Sequence, residues 1–280
     1  MPGSIDLHTH STASDGTTPP EALVRAASDA GLEVVALTDH DTTAGWDGAA
    51  AALPDGLRLV RGAEISCSRG GISLHLLGYL FDPGDAPLAD QLRVLRDSRV
   101  SRAERMVAML AADGHPVSWE QVREHADGTV GRPHIARALI DSGLVATIEE
   151  AFTSDWIGTR GRYWAGKHEL DVIDAMQLVH AAGGVTVFAH PGADARGRTV
   201  GDDVIEEMAA AGLGGLEVDH VDHPPETRER LRAMAGSLGL LVTGSSDFHG
   251  GNKQVRLGEN STAPGVLDEI ASRATGVGVL

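Results

Sequence analysis

His8 and His10 flank Thr9, and on an extended chain residues two apart point to the same side, so both imidazoles can meet one metal ion. Asp15-Gly16 follows, the glycine letting the loop fold its carboxylate back toward the same place. His40, Glu64, His75, His190, Asp247 and His249 extend the set to six histidines and three acids, nearly all expected at strand ends. Imidazole with carboxylate suits Zn²⁺, Fe²⁺ or Mn²⁺, and the absence of cysteine from the set argues against a structural thiolate zinc site. Nine ligands are too many for one ion, whereas a carboxylate such as Glu64 could bridge two. Each position alone also has a plainer reading. His8 and His10 could be surface histidines, and His75, inside an apolar run, a core histidine bonded to a carbonyl. Asp15 and Asp247 could be turn or cap residues. Asp39 and Asp41 around His40 read as caps or as partners of ligands, and neither is assigned to metal.

The elements that must position these residues alternate between strand and helix. Ser4 to Leu7 reads as a short strand running into His8. Thr18, Pro19, Pro20 and Glu21 read as a hydroxyl-capped helix start, and Gly31 as the stop. Val34 to Leu37 is a buried strand ending at His40, so the order is βαβ. Glu64 follows the strand-like run Leu57-Arg58-Leu59-Val60, and His75 sits within Ile72 to Leu77. Near the C-terminus, strands at 184–189, 216–218 and 240–243 alternate with helices at about 202–211 and 226–238. His190, Asp247 and His249 fall just past strand ends, the edge at which parallel α/β architectures build their sites. Between Pro87 and Lys167 the pattern is helical: Leu92, Leu95, Met106 and Leu110 repeat at helical spacing, and Ser118 and Thr147 each open a capping box. The expected organisation is an α/β domain over residues 1–86 and 168–280 with a helical insertion over 87–167.

The 280 residues carry a net charge of −17, which disfavours duplex nucleic acid and anionic membrane as partners. A phosphorylated substrate stays compatible, because bound metal ions reverse the local sign. The single cysteine, Cys67, excludes an intrachain disulfide, no apolar stretch is long enough to span a bilayer, and the first motif leaves no room for a signal peptide ahead of it. A cytoplasmic protein, as monomer or small oligomer, is expected.

Taken in order, Asp6-Leu7-His8-Thr9-His10-Ser11, Thr38-Asp39-His40-Asp41, Gly62-Ala63-Glu64-Ile65-Ser66, Ala189-His190-Pro191 and Ser246-Asp247-Phe248-His249-Gly250 resemble the motif series of the PHP (polymerase and histidinol phosphatase) superfamily. The resemblance covers essentially the whole chain and implies a distorted (β/α)7 barrel with a trinuclear metal centre. It would place His8, His10, Glu64 and Asp247 on one ion, Glu64, His75 and His190 on a second, and Asp15, His40 and His249 on a third. Gly131 to Leu139 and, more loosely, Gly161-Arg162-Tyr163-Trp164 look like the branch that acts on nucleoside 3′,5′-bisphosphates, some members being 5′-to-3′ exoribonucleases on short RNA. The run Gly215 to His220 also fits that branch, except that an aromatic residue is common where Asp219 stands.

The implied chemistry is in-line attack on phosphorus by a metal-activated hydroxide, which requires no Ser or Cys nucleophile. His220 and His223 are the candidate proton donors. Arg132 and His134 open a helix expected to cap the site, where Arg132 reads either as a bidentate clamp on a second phosphate or as a solvent-facing helix start. Arg160, Arg162 and Lys167 form a small basic run that could draw in a phosphorylated substrate or only balance local acidity. A histidinol-phosphate-type phosphomonoesterase is the alternative within the superfamily. A catalytically silent regulatory module is the alternative outside enzymology, and an intact ligand set argues against it.

Overall fold

The computed structural model describes residues 4–194 and 197–280. Seven strands follow one another round a curved sheet in the order β1 (Ser4–Asp6), β2 (Leu32–Leu37), β3 (Arg58–Arg69), β4 (Ile72–Tyr79), β6 (Val185–Phe188), β7 (Gly215–Asp219) and β8 (Leu241–Gly244). A two-residue strand, β5 (Leu170–Asp171), lies beside β3. The expected α/β class holds, with two qualifications. Strands β3 and β4 form an antiparallel hairpin and β4 is antiparallel to β6, so the parallel pattern is interrupted on that side. Among the described residues β1 and β8 do not pair; the loops that follow them meet at the isolated bridge Thr9–Phe248, so no ladder closes the barrel.

Alternation along the strands assigns the two faces of the sheet. Val35 and Leu37 of β2 pack outward with Leu23 and Val24 of α1 (Pro20–Asp29), while Val34 and Ala36 point inward with Ile5, Val60, Tyr79 and Val187. In β3 the inward set continues two residues at a time from Val60 through Gly62 and Glu64 to Ser66. In β4 the inward Leu77 and Tyr79 place His75 on the same side. Glu64 therefore sits within a twelve-residue strand rather than beyond a strand end, correcting the expectation. That strand is longer than its apolar run because its pairing with β4 carries it across polar positions as far as Arg69.

Helix α1 also departs from expectation: Pro19 is its N-cap, no side chain caps it, and Thr18 lies outside. Gly31 does take the left-handed conformation that ends the helix, with φ of 80°. Helix α2 (Trp46–Ala51) lies between β2 and β3, and the C-terminal half holds α7 (Val172–Ala181), α8 (Asp202–Ala210), α9 (Pro225–Leu238) and α10 (Pro264–Arg273).

Between the two halves run α3 (Ala86–Ala112), α4 (Trp119–Glu124), α5 (Arg132–Asp141) and α6 (Ile148–Ala151). These helices bury a cluster of their own that includes Met106, Leu110, Val122, Ile135, Leu139 and Ile157. Ser118 makes the full reciprocal capping box with Gln121, whereas Thr147 makes half of one, accepting from Glu150 N while the Glu150 carboxylate turns to Ala146 N. The segment touches the α/β part where Thr129 N donates to Ala13 O at 2.9 Å. A Cβ on Gly131 would stand 3.2 Å from Asp15 Oδ2, so the start of α5 adjoins one edge of the histidine cluster.

Candidate metal centre

The loops leaving the C-terminal ends of β1, β2, β6 and β8, with the middle of the β3–β4 hairpin, bring all nine expected donors together. Glu64 is the hub. Its Oε2 lies 3.2 Å from His8 Nε2, 3.0 Å from His10 Nε2 and 3.2 Å from His40 Nδ1. Its Oε1 lies 2.7 Å from His75 Nδ1 and 3.0 Å from His190 Nε2. Asp247 Oδ1 stands 3.5 Å from both His8 Nε2 and His10 Nε2. On the other side Asp15 lies 3.7 Å from His40 Nε2 and 3.4 Å from His249 Nε2.

Three groups have donor atoms close enough to share an ion: His8, His10, Glu64 and Asp247; His10, Asp15, His40 and His249; and His40, Glu64 and His75. The donor chemistry fits a cation better than it fits internal hydrogen bonding. His8 Nε2 and His10 Nε2 face each other at 3.0 Å. His40 Nδ1 and His75 Nδ1 are buried beside the Glu64 carboxylate yet are not aligned to donate to it. Ring nitrogens that converge without donating are lone pairs aimed at a common point.

Burial would raise the Glu64 carboxyl, but His75, His40 and His8 outweigh it and hold the group well below the usual carboxylate range. Asp15 is likewise held low against burial by His40 and His249. Burial, with His10 and Lys253 beside it, lowers His249 to about 4. Backbone strain gathers at the same place, since Asp41, His190 and Asp247 are non-glycine residues with φ of 55°, 32° and 54°. Gly16 is required in its loop because a Cβ there would lie 2.4 Å from His10 O.

A ring of carboxylates fixes the donors. His8 Nδ1 meets Glu217 Oε1 at 2.9 Å, while Glu217 Oε2 accepts from His190 N at 2.8 Å, so one side chain orients two of the candidate donors. Asp39 accepts from Ser11 N, Ser11 Oγ and Ser14 Oγ, locking the loop after His10. Asp41 accepts from Ser66 N, Ser66 Oγ and Arg99 Nε, tying β2 to β3 and to α3. Asp39 and Asp41 thus hold the loops that carry candidate donors and are not donors themselves. Sequence reasoning gave Glu217 and Arg99 no role. The available signal for Glu217 was an acid inside the apolar run Leu216-Glu217-Val218, where burial demands a partner.

The remaining expected residues fare differently. His223 donates from Nδ1 to Val218 O at 2.9 Å and accepts Gly192 N at Nε2 at 3.0 Å, so both ring nitrogens are committed to backbone and it is not placed as a proton donor. His220 accepts Asp222 N at Nδ1 and turns Nε2 to Asp247 Oδ2 at 3.3 Å, supporting that carboxylate instead. Arg132 is half-buried, donating to Ile157 O and lying over the Phe152 ring, and does not face open solvent. His134 is buried and its Nδ1 accepts from Gly131 N at 2.9 Å. Arg160 is exposed, and Arg162, also exposed, is taken up by Asp113 at 2.6 Å and the face of Tyr163.

Comparison with known proteins decides the family. The PHP domain model matches residues 6–125. A 3′,5′-nucleoside bisphosphate phosphatase of Chromobacterium violaceum is 37% identical over 254 residues, 88% of this chain and 87% of that one. The chain belongs to the PHP family. A 5′-3′ exoribonuclease of Haemophilus influenzae is 34% identical over 262 residues, 93% of this chain and 95% of that one. The solved structure of a protein described as a metal-dependent phosphoesterase of Bifidobacterium adolescentis superposes with a TM-score of 0.92 at 39% identity, covering 98% of this chain and 97% of that one. As a PHP-family protein the chain is a metal-dependent phosphoesterase, a hydrolase whose clustered histidines and acids are able to bind metal. Among the described residues no helix is long and apolar enough to cross a membrane.

Proposed function

We propose that this PHP protein hydrolyses phosphate esters of nucleotides, as a nucleoside 3′,5′-bisphosphate phosphatase and, on short RNA, as a 5′-to-3′ exonuclease. The convergence of five imidazole nitrogens on the two oxygens of Glu64, at 2.7 to 3.2 Å, carries this reading. The names of the bisphosphate phosphatase and exoribonuclease relatives supply the substrate class.

The nine donors would hold three divalent ions. His8, His10, Glu64 and Asp247 take one. Glu64 and His75 take a second with His190 or His40, and Asp15, His40 and His249 take the third with His10 beside them. All nine are nitrogen or oxygen donors, which suits Mn, Fe or Zn. When bound, such ions supply Lewis-acid activation of water and neutralise charge on the phosphoryl oxygens.

The chain's own part is to orient. Glu217 holds His8 so that Nε2 faces the cluster, and Asp39 and Asp41 fix the loops that carry His10 and His40. Arg132, at the first turn of α5, is the polar group poised for a second phosphate. Burial and the neighbouring Arg99 lower it to about 10, leaving the guanidinium charged near neutrality. Asp219, where relatives in this branch commonly carry an aromatic residue, is bound to Arg232 by two contacts of 2.7 Å, so base stacking at that position is absent from the reading.

The test is phosphate release from adenosine 3′,5′-bisphosphate by manganese-loaded protein, beside a chelated control and a His10→Ala variant. Metal-dependent release that His10→Ala abolishes is expected. Release of no phosphate would overturn the substrate, and histidinol phosphate and 5′-phosphorylated RNA would then discriminate the remaining esters.

A further inference from the structure

Helix α3 carries arginine at every third position from Arg93 to Arg105, a ladder of five within a chain of net charge −17. Protein groups claim four of the rungs. Arg93 pairs with Asp90 and Asp97, Arg96 donates to Asp41 O, Arg99 is held by Asp41 and Ser66 Oγ, and Arg105 reaches Gly166 O. Arg102 is the exception. It is only 7% exposed, and among the described residues its buried Nε has no hydrogen-bond partner.

The surroundings make this odder. Burial does most to disfavour the Arg102 cation, Arg99 and Arg132 add like charge, and Glu169 and Asp15 oppose them without outweighing them. Lys167, with a side chain 7% exposed, joins from the loop before β5; burial, Arg99 and Arg102 disfavour its cation, Glu169 and Asp41 favour it, and Glu169 is its one ion-pair partner among the described residues. Of the acids nearby, Asp41 is taken up by Arg99 and Asp15 faces His40 and His249, which leaves Glu169 to Arg102, Arg132 and Lys167. Buried cations short of acids are costly unless an anion completes them.

We propose that Arg102, Arg132 and Lys167 form a receptor for a phosphate group of the substrate, beside the Asp15–His40 edge of the metal centre. The placement follows from the helical segment itself: Gly131 packs on Asp15, and Arg102 and Arg132 both feel the Asp15 charge. A phosphate dianion is the fitting ligand, because two guanidinium groups and an ammonium offer more charge and more donors than a lone carboxylate can match. The receptor rests on the phosphoesterase reading of the centre; it adds Arg102, which no motif marks, and joins to it Lys167, read from the sequence only as part of a basic run with Arg160 and Arg162.

Two measurements test it on the full chain. In the first, thermal denaturation of chelator-treated protein is followed as inorganic phosphate is added. Phosphate should raise the melting temperature of the wild type. Arg102→Met should melt at or above the wild type without phosphate, having lost a like charge, and should gain nothing from phosphate; Arg102→Lys should recover part of the response. In the second, the manganese-loaded Arg102→Met variant should show KM for adenosine 3′,5′-bisphosphate raised by roughly 10- to 100-fold, the worth of charge-assisted hydrogen bonds. An undiminished phosphate response with unchanged KM overturns the receptor and leaves the phosphoesterase reading intact. No turnover of any ester, with a phosphate response lost in Arg102→Met, overturns that reading and leaves the receptor standing. If Arg102→Met does not fold, Lys167→Met carries the same two measurements.

Discussion

Two buried charged neighbourhoods lie side by side in this molecule, and they are built on opposite plans. Around Glu64, imidazoles and carboxylates converge from five strands, and acids such as Glu217, Asp39 and Asp41 stand behind them. Around Arg102, cations from α3, α5 and the loop before β5 crowd together, with Glu169 paired to Lys167 while Asp41 and Asp15 are engaged by Arg99 and by the histidines. The first arrangement asks for positive charge and the second for negative charge. A buried charge cluster is tolerated only when something of opposite sign completes it. The pair together therefore describes a metal-dependent site for an anionic ester better than either does alone, and it explains how a chain of net charge −17 can hold a phosphate.

The sharpest way to break the comparison is to remove the hub of the acidic side. Glu64→Ala should lower phosphate release on the order of 10³-fold or more, because it takes away a carboxylate shared by several donors. Metal analysis of the purified variant should show fewer ions per chain than wild type, and unchanged stoichiometry would contradict the bridging role. Next comes the seam between the two neighbourhoods. Arg99 donates to Asp41 at 2.6 Å, and both side chains are buried. Arg99→Ala leaves Asp41 as an unmatched charge and should cost about 3–5 kcal/mol of stability by urea denaturation. Adding Asp41→Asn should restore part of that loss, and strict additivity of the two changes would deny the pairing.

Most of the acidic side was legible in the sequence, and the reason is geometric. His8 and His10 are two apart on an extended segment, and His40, His190 and Asp247 follow apolar runs that can only be buried strands. What escaped was whatever depends on pairing across the sheet. Glu64 is mid-strand because β4 folds back on β3, and periodicity within one strand cannot show its partner. The basic side was legible only in part: Arg132 read as a phosphate clamp or a helix start and Lys167 as one of a basic run, but nothing marked Arg102 or joined the three. Arg102 and Lys167 are 65 residues apart in sequence, and an arginine on a helix looks the same whether it meets solvent, Asp41 or nothing. His223 erred in the other direction, for a histidine near a site is easily taken for chemistry until both its nitrogens are found on backbone atoms.

A finer probe of the acidic side is Glu217→Gln. The amide keeps the shape but loses the charge that favours a proton on His8 Nδ1 and so leaves Nε2 to face a metal ion in the proposed centre. Loss of such a partner commonly weakens metal affinity by about 10- to 100-fold. Competition against a chelator should show a shift of that size, with the far-ultraviolet spectrum unchanged. Affinity equal to wild type would mean that the His8 ring is fixed by packing alone.

The smallest expected effect is a slope in stability against pH, and it belongs to the basic side. Burial and the nearby Arg99 lower Lys167 to about 8, against an ordinary value near 10.4 in the unfolded chain. Between those two values the folded protein has shed a proton that the unfolded chain keeps. Stability therefore rises with pH across that window and is flat in this respect below it. Urea denaturation of the chelated protein at steps from about pH 7.5 to 10 should show the rise, and Lys167→Met should remove it. Saturating phosphate should flatten the wild-type curve as well, because an anion beside the ammonium restores its usual proton affinity. A slope that survives Lys167→Met places the titrating group elsewhere. A slope abolished by the substitution but untouched by phosphate would mean that Lys167 is buried among cations for structure alone, and the contrast between the two neighbourhoods would then lose its functional half.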